Sequence, residues 1–382
     1  RADGTTLGAD NGVALALGAT LAEDPGAKHP PLELLFTVDE ETGLTGAKRL
    51  EPGFVEGRLL INLDSETEGM FTVGCAGGRD VQIERGLRFT PVPEGSRRVK
   101  VTVGGLTGGH SGIDIHRPRA NAIKLLARLL DVLLQDDAVR LMAVAGGTRR
   151  NAIPRDAWGQ VACPAERAPA LHRHVAEWDA PFRAEFPCET ALRLSIEDAP
   201  APSSGPAAMS REGGLAVVHL LLALPHGVAQ MDPAFGDLVL TSSNLAITET
   251  TGAAQKIVTS QRSLSRFGLD AMSGQVRAAA ALAGGRAYTE SEYPPWTPNP
   301  GSPLLARCRD IYRRLYGKEP EVRGIHAGLE CALIGDIYPG MDMISLGPTT
   351  QNAHSPAERL HVPSLSNLRN FLAALLESMA ES

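Results

Sequence analysis

The chain has 382 residues, of which 43% are hydrophobic types, and a formal net charge of −7. That length is enough for two domains and at least one sizeable core. A sequence pI of about 5.8 and the lack of any basic stripe argue against nucleic acid and anionic membrane as partners.

In chain order, residues 12–22 ("GVALALGATLA") read as a helix and residues 32–38 as a short apolar strand. A helix is predicted over 45–50 and a second buried strand over 59–63 ("LLINL"). Short apolar strands alternating with helices imply a parallel or mixed sheet covered on both faces. The texture changes after "CAGGRD" at 75–80. Residues 98–103 ("RVKVTV") alternate polar and apolar, as a half-exposed antiparallel strand does, and 191–196 and 238–241 look similar. An amphipathic helix is predicted over 120–134. Residues 216–229 ("AVVHLLLALPHGVA") come nearest to a membrane span, but His219, Pro225 and His226 interrupt them and the stretch reads as core. Residues 283–303 are rich in Gly and Pro and read as a linker. Beyond them the first texture returns, with a helix over 304–315, a strand over 343–346 and a helix over 368–379.

The expectation is an α/β domain, a mixed sheet with helices on both faces, interrupted by an inserted α+β domain. The expected parts are 1–77, 78–294 and 295–382, with hinges near Gly77 and Tyr293. The five cysteines (Cys75, Cys163, Cys188, Cys308, Cys331) are odd in number and form no CxxC, which suits a reducing cytoplasm. The chain opens "RADGTTLGADNG", without Met and already inside a motif-like segment, so a missing N-terminal segment is expected.

Four motifs carry acids or histidine at strand ends or in nearby loops: "GADNG" (Asp10), "FTVDEETG" (Asp39, Glu40, Glu41), "INLDSE" (Asp64) and "NAHSP" (His354). Ligands collect at the carboxyl ends of strands in open α/β sheets. Each motif alone is weak, because an acid after a strand is more often a helix cap or a solvated loop residue. Together they supply several carboxylates and an imidazole, the ligand mix of zinc, manganese or cobalt sites. Divalent cations would also offset the repulsion among adjacent acids.

With "LLFTVDEETGLTGA", "LINLDSE", "GGHSG", "RNAIP", "HAGLEC" and "GPTTQNAHSP" in this order, the chain resembles the aminoacyl-histidine dipeptidases. These belong to the co-catalytic zinc carboxypeptidase and aminoacylase superfamily. The resemblance spans essentially the whole chain. It implies a zinc-peptidase-like fold whose inserted domain is a lid that also forms a homodimer. It further implies a cytoplasmic enzyme that hydrolyses dipeptides such as Xaa-His with two divalent metal ions, zinc first, with cobalt or manganese as alternatives.

Carried over by motif, Asp10 bridges the metals, Glu41 and His354 complete one of them, and Asp64 ligates the other. Glu40 is the general base for an activated water, and Asp39 is read as structural or as orienting a ligand from behind it. The peptide bond after Asp10 is expected to be cis. In the insertion, His110 is expected to donate to the scissile oxyanion, Asn151 to contact substrate and Arg262 to hold its terminal carboxylate. Glu330 and His326 are expected at the substrate, with Glu330 on its free amine. His116 is read as structural, and His29, His172, His174, His219, His226 and His361 match no chemical motif.

Relatives also carry a His-x-Asp motif upstream, and only nine residues precede Asp10 here. The Asp64 metal is therefore expected to lack its histidine, whereas the Asp10–Glu41–His354 metal keeps its three ligands. The rival readings are an N-acyl-amino-acid deacylase of the same superfamily and a catalytically inactive dimerising or peptide-binding fragment.

Overall fold

The structure, a computed structural model, describes residues 1–41, 43–199 and 207–381. It divides into two compact units, Arg1–Gly77 with Tyr293–Ser382, and Gly78–Glu292. The second is thus an insertion within the first.

The first unit is built on a four-stranded sheet in the order Leu59–Asn62, Asp342–Ser345, Met70–Cys75, Glu321–Ile325. The two outer pairings are parallel and the central one is antiparallel, so the sheet is mixed. All six residues of Met70–Cys75 are buried, as a strand covered on both faces requires. Phe71 packs against Tyr312 and Phe371 of the helices Pro303–Tyr316 and Val362–Ala380, with ring centroids 5.4–5.9 Å apart. Cys75 joins Trp296, Met343 and, from the helix Glu330–Ile337, Cys331 and Ala332 in a second cluster. The helix Pro303–Tyr316 is well delimited. The Ser302 hydroxyl accepts from Leu305 N, Pro303 holds the first position, and Gly317 ends the helix at φ 68°.

The second unit holds a nine-stranded sheet. Its path runs Arg193–Asp198, Arg97–Gly104, Ala157–Cys163, Arg140–Gly146, Val239–Thr251, Ala254–Ser263, Gly77–Gly86, Arg286–Tyr293, with Gly227–Met231 beside Val239–Thr251. Val99, Val101 and Val103 are fully buried, whereas Arg98, Lys100 and Thr102 between them are half-buried. This is the predicted alternation. Those valines share one core with Leu125, Leu126, Leu129 and Leu130 of the helix Ala122–Leu133, whose start is capped by the Asn121 side chain. Helices Arg211–Ala223 and Arg266–Leu282 add Val217, Val218, Val276 and Ala280 to the same core. Among the described residues no helix is long and apolar enough to cross a membrane.

Two local expectations are corrected. Residues 32–38 form no strand, because no neighbour pairs with them, and Leu34, Phe36 and Val38 stay exposed. The span 283–303 is not simply a linker. Arg286–Tyr293 within it is an edge strand, mostly solvent-facing, set between Gly284–Gly285 and Pro294–Pro295.

Candidate metal centre

Asp10 sits where the first helix, Ala9–Glu23, begins. Asp10 and Asn11 depart from helical dihedrals (φ −92°, ψ 101° and φ −123°, ψ 46°), and the peptide bond between them is cis. Asn11 then acts as the working cap. Its Oδ1 accepts from Ala14 N at 3.1 Å, and its Nδ2 donates to Leu63 O and to Asp64 Oδ1, each at 2.9 Å. Asp64 follows the strand Leu59–Asn62 and is braced from the neighbouring strand. Asn62 Oδ1 accepts from Asp64 N (3.1 Å) and from the Ser345 hydroxyl (2.7 Å), and the Ser65 and Ser345 hydroxyls lie 2.9 Å apart.

The acidic triplet lies in a tight turn. Asp39 has a left-handed φ of 57°, and its carboxylate accepts from the Thr45 hydroxyl. Glu40 O accepts from Gly43 N and Leu44 N, and Val38 O from Gly46 N. Asp39 therefore serves the turn, which leaves Glu40 and Glu41 to present their carboxylates. A left-handed φ of 62° likewise carries His354. Its Nε2 lies 2.9 Å from Asp10 Oδ2 and 2.9 Å from Glu41 Oε2. The ligand atoms of Asp10, Glu41 and His354 all lie within 4.8 Å of one another, the one such metal-competent trio among the described residues. Asp64 is not part of this trio, but after burial the charges of Glu40 and Asp10 raise its carboxyl.

The electrostatics are those of an acid cluster that needs positive charge. Burial, then Glu41, Glu330 and Asp10, push the Glu40 carboxyl up to about 7. Burial, then Glu40 and Asp10, push Asp64 up to about 7 against the opposing Asn11 hydrogen bond. Glu66 is also raised, by burial and then Asp10. Burial alone would lower the His354 imidazole, but its bond to Asp10 and the charges of Glu41 and Glu66 raise it. Glu330 is buried and raised by that burial, with Thr37 Oγ1 donating to its Oε2 at 2.8 Å. Its Oε1 finds no hydrogen-bond partner among the described residues. Clustered hard oxygen donors with one imidazole, two carboxyls pushed to about 7 and an orphaned buried oxygen fit divalent cations. Thiol chemistry fits poorly. Cys75 and Cys331 are fully buried, and burial pushes Cys75 up to about 12 and raises Cys331 well above the ordinary thiol value.

The remaining residues singled out in the sequence fall in both units. His326 and Glu330 lie in the first, buried near the end of the strand Glu321–Ile325 and at the start of the following helix. His110, Asn151 and Arg262 lie in the second. His110 pairs with Ala152 across a short antiparallel ladder, and Ser111 N donates to Asn151 O, so the His110 loop and the Asn151 turn are joined. The Asn151 side chain is exposed. His110 Nδ1 accepts from Gly112 N (3.2 Å) and Ile113 N (3.1 Å), which puts the proton of the neutral ring on Nε2. Burial and then the Arg262 charge lower its pKa, so the ring is a neutral N–H donor. His116 is exposed.

Sequence reasoning passed over Asn11, Thr37 and Glu358. Glu358 is 2% exposed, and its carboxylate accepts from the backbone N–H of Leu7, Gly8, Ala9 and Asp10. Burial would raise this carboxyl, but the four amides more than offset it and hold it below its usual range. Asn11 stood inside a quoted motif without a role. Thr37 and Glu358 carry no chemical signature that a sequence displays.

The sequence profile described as peptidase family M20/M25/M40 matches residues 3–378. The cytosol non-specific dipeptidase of Escherichia coli (strain K12) is 37% identical over 380 residues, 99% of this chain and 78% of that protein. The crystal structure of aminoacylhistidine dipeptidase from Vibrio alginolyticus superposes with a TM-score of 0.91 at 37% identity, covering 98% of this chain and 76% of that one. The chain thus spans about three quarters of the length of these two relatives. A profile match over nearly the full length, together with these two likenesses, means that the chain belongs to peptidase family M20/M25/M40.

Proposed function

We propose that this protein is a cytosolic, metal-dependent dipeptidase that hydrolyses short peptides such as Xaa-His with two divalent ions, zinc first. The observation that carries this reading is the meeting of Asp10, Glu41 and His354 beside Glu40 and Asp64. Asp10, Glu41 and His354 would hold one ion, with Asp10 and Asp64 at the second. Divalent cations held there would supply Lewis acidity, which makes water ionisable near neutral pH.

The chain's own side chains do the rest. Glu40, in the acid cluster but outside the Asp10–Glu41–His354 trio, would take a water proton and return it to the leaving amine. The water oxygen bonds to the carbonyl carbon as the carbonyl π electrons move onto oxygen; collapse of this tetrahedral adduct re-forms the C=O bond and breaks the C–N bond, and the amine leaves carrying the proton from Glu40. His110, a neutral Nε2–H donor, suits a developing oxyanion. Arg262 suits the substrate's terminal carboxylate, with Asn151 as a further polar contact. Glu330, with its orphaned oxygen, suits the free α-ammonium, and His326 lies close to it in sequence. Fixing both ends of the substrate would select for dipeptide length. A homodimer formed through the inserted unit completes the reading.

The test is an assay of Ala-His against an N-acetylated amino acid, with metal content measured on the same sample. Cleavage of Ala-His alone, with about two zinc ions per chain, is expected for a co-catalytic site. Preference for the acetylated compound would replace this reading with the deacylase.

A further inference from the structure

The helix Ala9–Glu23 has no side-chain cap at its first residue, and Asn11 caps it only from within, by accepting from Ala14 N. Gly8 occupies the cap position at φ 72° and offers no side chain. The backbone amides of Leu7 and Gly8, before the helix, and of Ala9 and Asp10, at its start, also need acceptors. They are met by one side chain 350 residues away in the chain, Glu358. Its Oε2 accepts from Leu7 N (2.7 Å) and Gly8 N (2.9 Å), and its Oε1 from Ala9 N (2.8 Å) and Asp10 N (3.2 Å). Four donors match the roughly four lone-pair sites of an ionised carboxylate. The charge also sits at the positive end of the helix dipole.

Glu358 is tied in turn to His354. Glu358 N donates to Ser355 O at 3.0 Å, Ala357 N donates to the Ser355 hydroxyl at 3.2 Å, and that hydroxyl donates to Asn352 O at 2.7 Å. The segments 7–10 and 352–358 are therefore joined twice. One link is side chain to side chain, through Asp10 and His354, and the other is main chain to side chain, at Glu358. The first link is between ligand groups and is open to solvent, His354 being 63% exposed. The second is buried.

We infer that Glu358 is the positioning residue of the metal centre. Its carboxylate fixes the backbone of Asp10 relative to the His354 loop, so that the two ligands are already spaced for a cation. This rests on the metallopeptidase reading for its purpose, but its test does not depend on turnover. The charge matters as well as the shape, because a glutamine would offer one oxygen and turn an NH2 toward two backbone donors.

The experiment compares the unaltered protein with Glu358→Gln and Glu358→Asp, prepared metal-free. Circular dichroism selects the folded variants, and zinc affinity is measured by competition with a chromophoric chelator. Zinc affinity is expected to fall about tenfold or more in Glu358→Gln, the size of loss typical when a group orienting a ligand is removed. With Ala-His, kcat should fall while KM stays within about twofold, since no substrate contact is altered. A folded Glu358→Gln with unchanged zinc affinity overturns the inference. If glutamine prevents folding, Glu358→Asp is read by the same criterion. Independently of any substitution, the amides of residues 7–10 in the metal-free protein should exchange slowly with deuterium. Exchange as fast as in an unstructured peptide overturns the inference too. Zinc binding that depends on Glu358 without dipeptide cleavage would sink the proposed function alone, and cleavage with a silent Glu358→Gln would sink this inference alone.

Discussion

Asn11 reaches across from the first helix to hold Asp64, its Nδ2 donating at 2.9 Å both to the Asp64 carboxylate and to the Leu63 carbonyl. One amide thus joins the Asp10 and Asp64 segments and lowers the proton affinity of Asp64 against the burial that raises it. Asn11→Ala should destabilise the fold by about 1–2 kcal/mol for the lost bonds and weaken zinc binding about tenfold. Urea midpoints and chelator competition measure the two effects. Unchanged zinc affinity would show that Asp64 needs no such support.

Glu40→Gln separates chemistry from metal binding. The turn holds Glu40 through its main-chain oxygen, which the substitution leaves in place. The variant should keep its metal content by elemental analysis and lose kcat by on the order of 100- to 10,000-fold, the range of general-base catalysis. A variant that still turns over Ala-His at the parent rate would remove Glu40 from the reaction.

The raised carboxyls set a pH dependence. Glu40 and Asp64 are both raised to about 7 in the folded chain, above the ordinary carboxylate values they regain on unfolding. Between about pH 4 and 7 the folded state then binds more protons than the unfolded one, and stability falls as pH rises through that window. Thermal melts of the chelator-treated protein should show Tm dropping from pH 4.5 toward 7 and levelling above, relative to a Glu40→Gln/Asp64→Asn control. Saturating zinc should remove or invert the drop, because a cation favours the ionised acids. A flat metal-free profile would mean that these groups do not repel as described.

Gly347 makes the closest packing demand near the centre. A Cβ built there falls 1.6 Å from Ser65 O, next to Asp64. Gly347→Ala must push the Asp64 loop aside and should cost about 2–3 kcal/mol or more in denaturant unfolding, with weakened zinc binding. A neutral substitution would place that loop further away than described.

His110→Ala should lower kcat about 100- to 1,000-fold with little change in KM, as loss of an oxyanion donor does. The pH profile adds a second readout. His110 stays neutral because burial, and then Arg262, lower its pKa. The activity of the parent should therefore show no acidic limb that disappears in His110→Gln.

Much of this architecture is legible in the residues themselves. The strand Arg97–Gly104 announces itself by alternation because one face meets the leucines of Ala122–Leu133 and the other does not. The acid and histidine motifs stand out only as a set, since each alone reads as a cap or a solvated loop residue, and the structure brings Asp10, Glu41 and His354 together. Residues 32–38 mislead because apolar content signals a wish to be paired, and pairing needs a neighbour that no local pattern encodes. Arg286–Tyr293 misleads in the other direction, an edge strand with too little buried surface to stand out from flanking Gly and Pro. Glu358 is hidden for a third reason. Its partners are backbone amides, which every residue possesses, and the contact spans nearly the whole chain.

The first unit closes on itself where the chain leaves it after Gly77 and returns at Tyr293. Cys75 N donates to Trp296 O at 2.9 Å and Trp296 N to Cys75 O at 3.0 Å, an isolated antiparallel rung with both residues in the first unit. From the side of the four-stranded sheet, everything between those residues is a loop whose neck is already closed. Such a neck lets evolution exchange the insertion as a cassette, altering what the hydrolytic half is offered while its own ladder, helices and acids stay where they are.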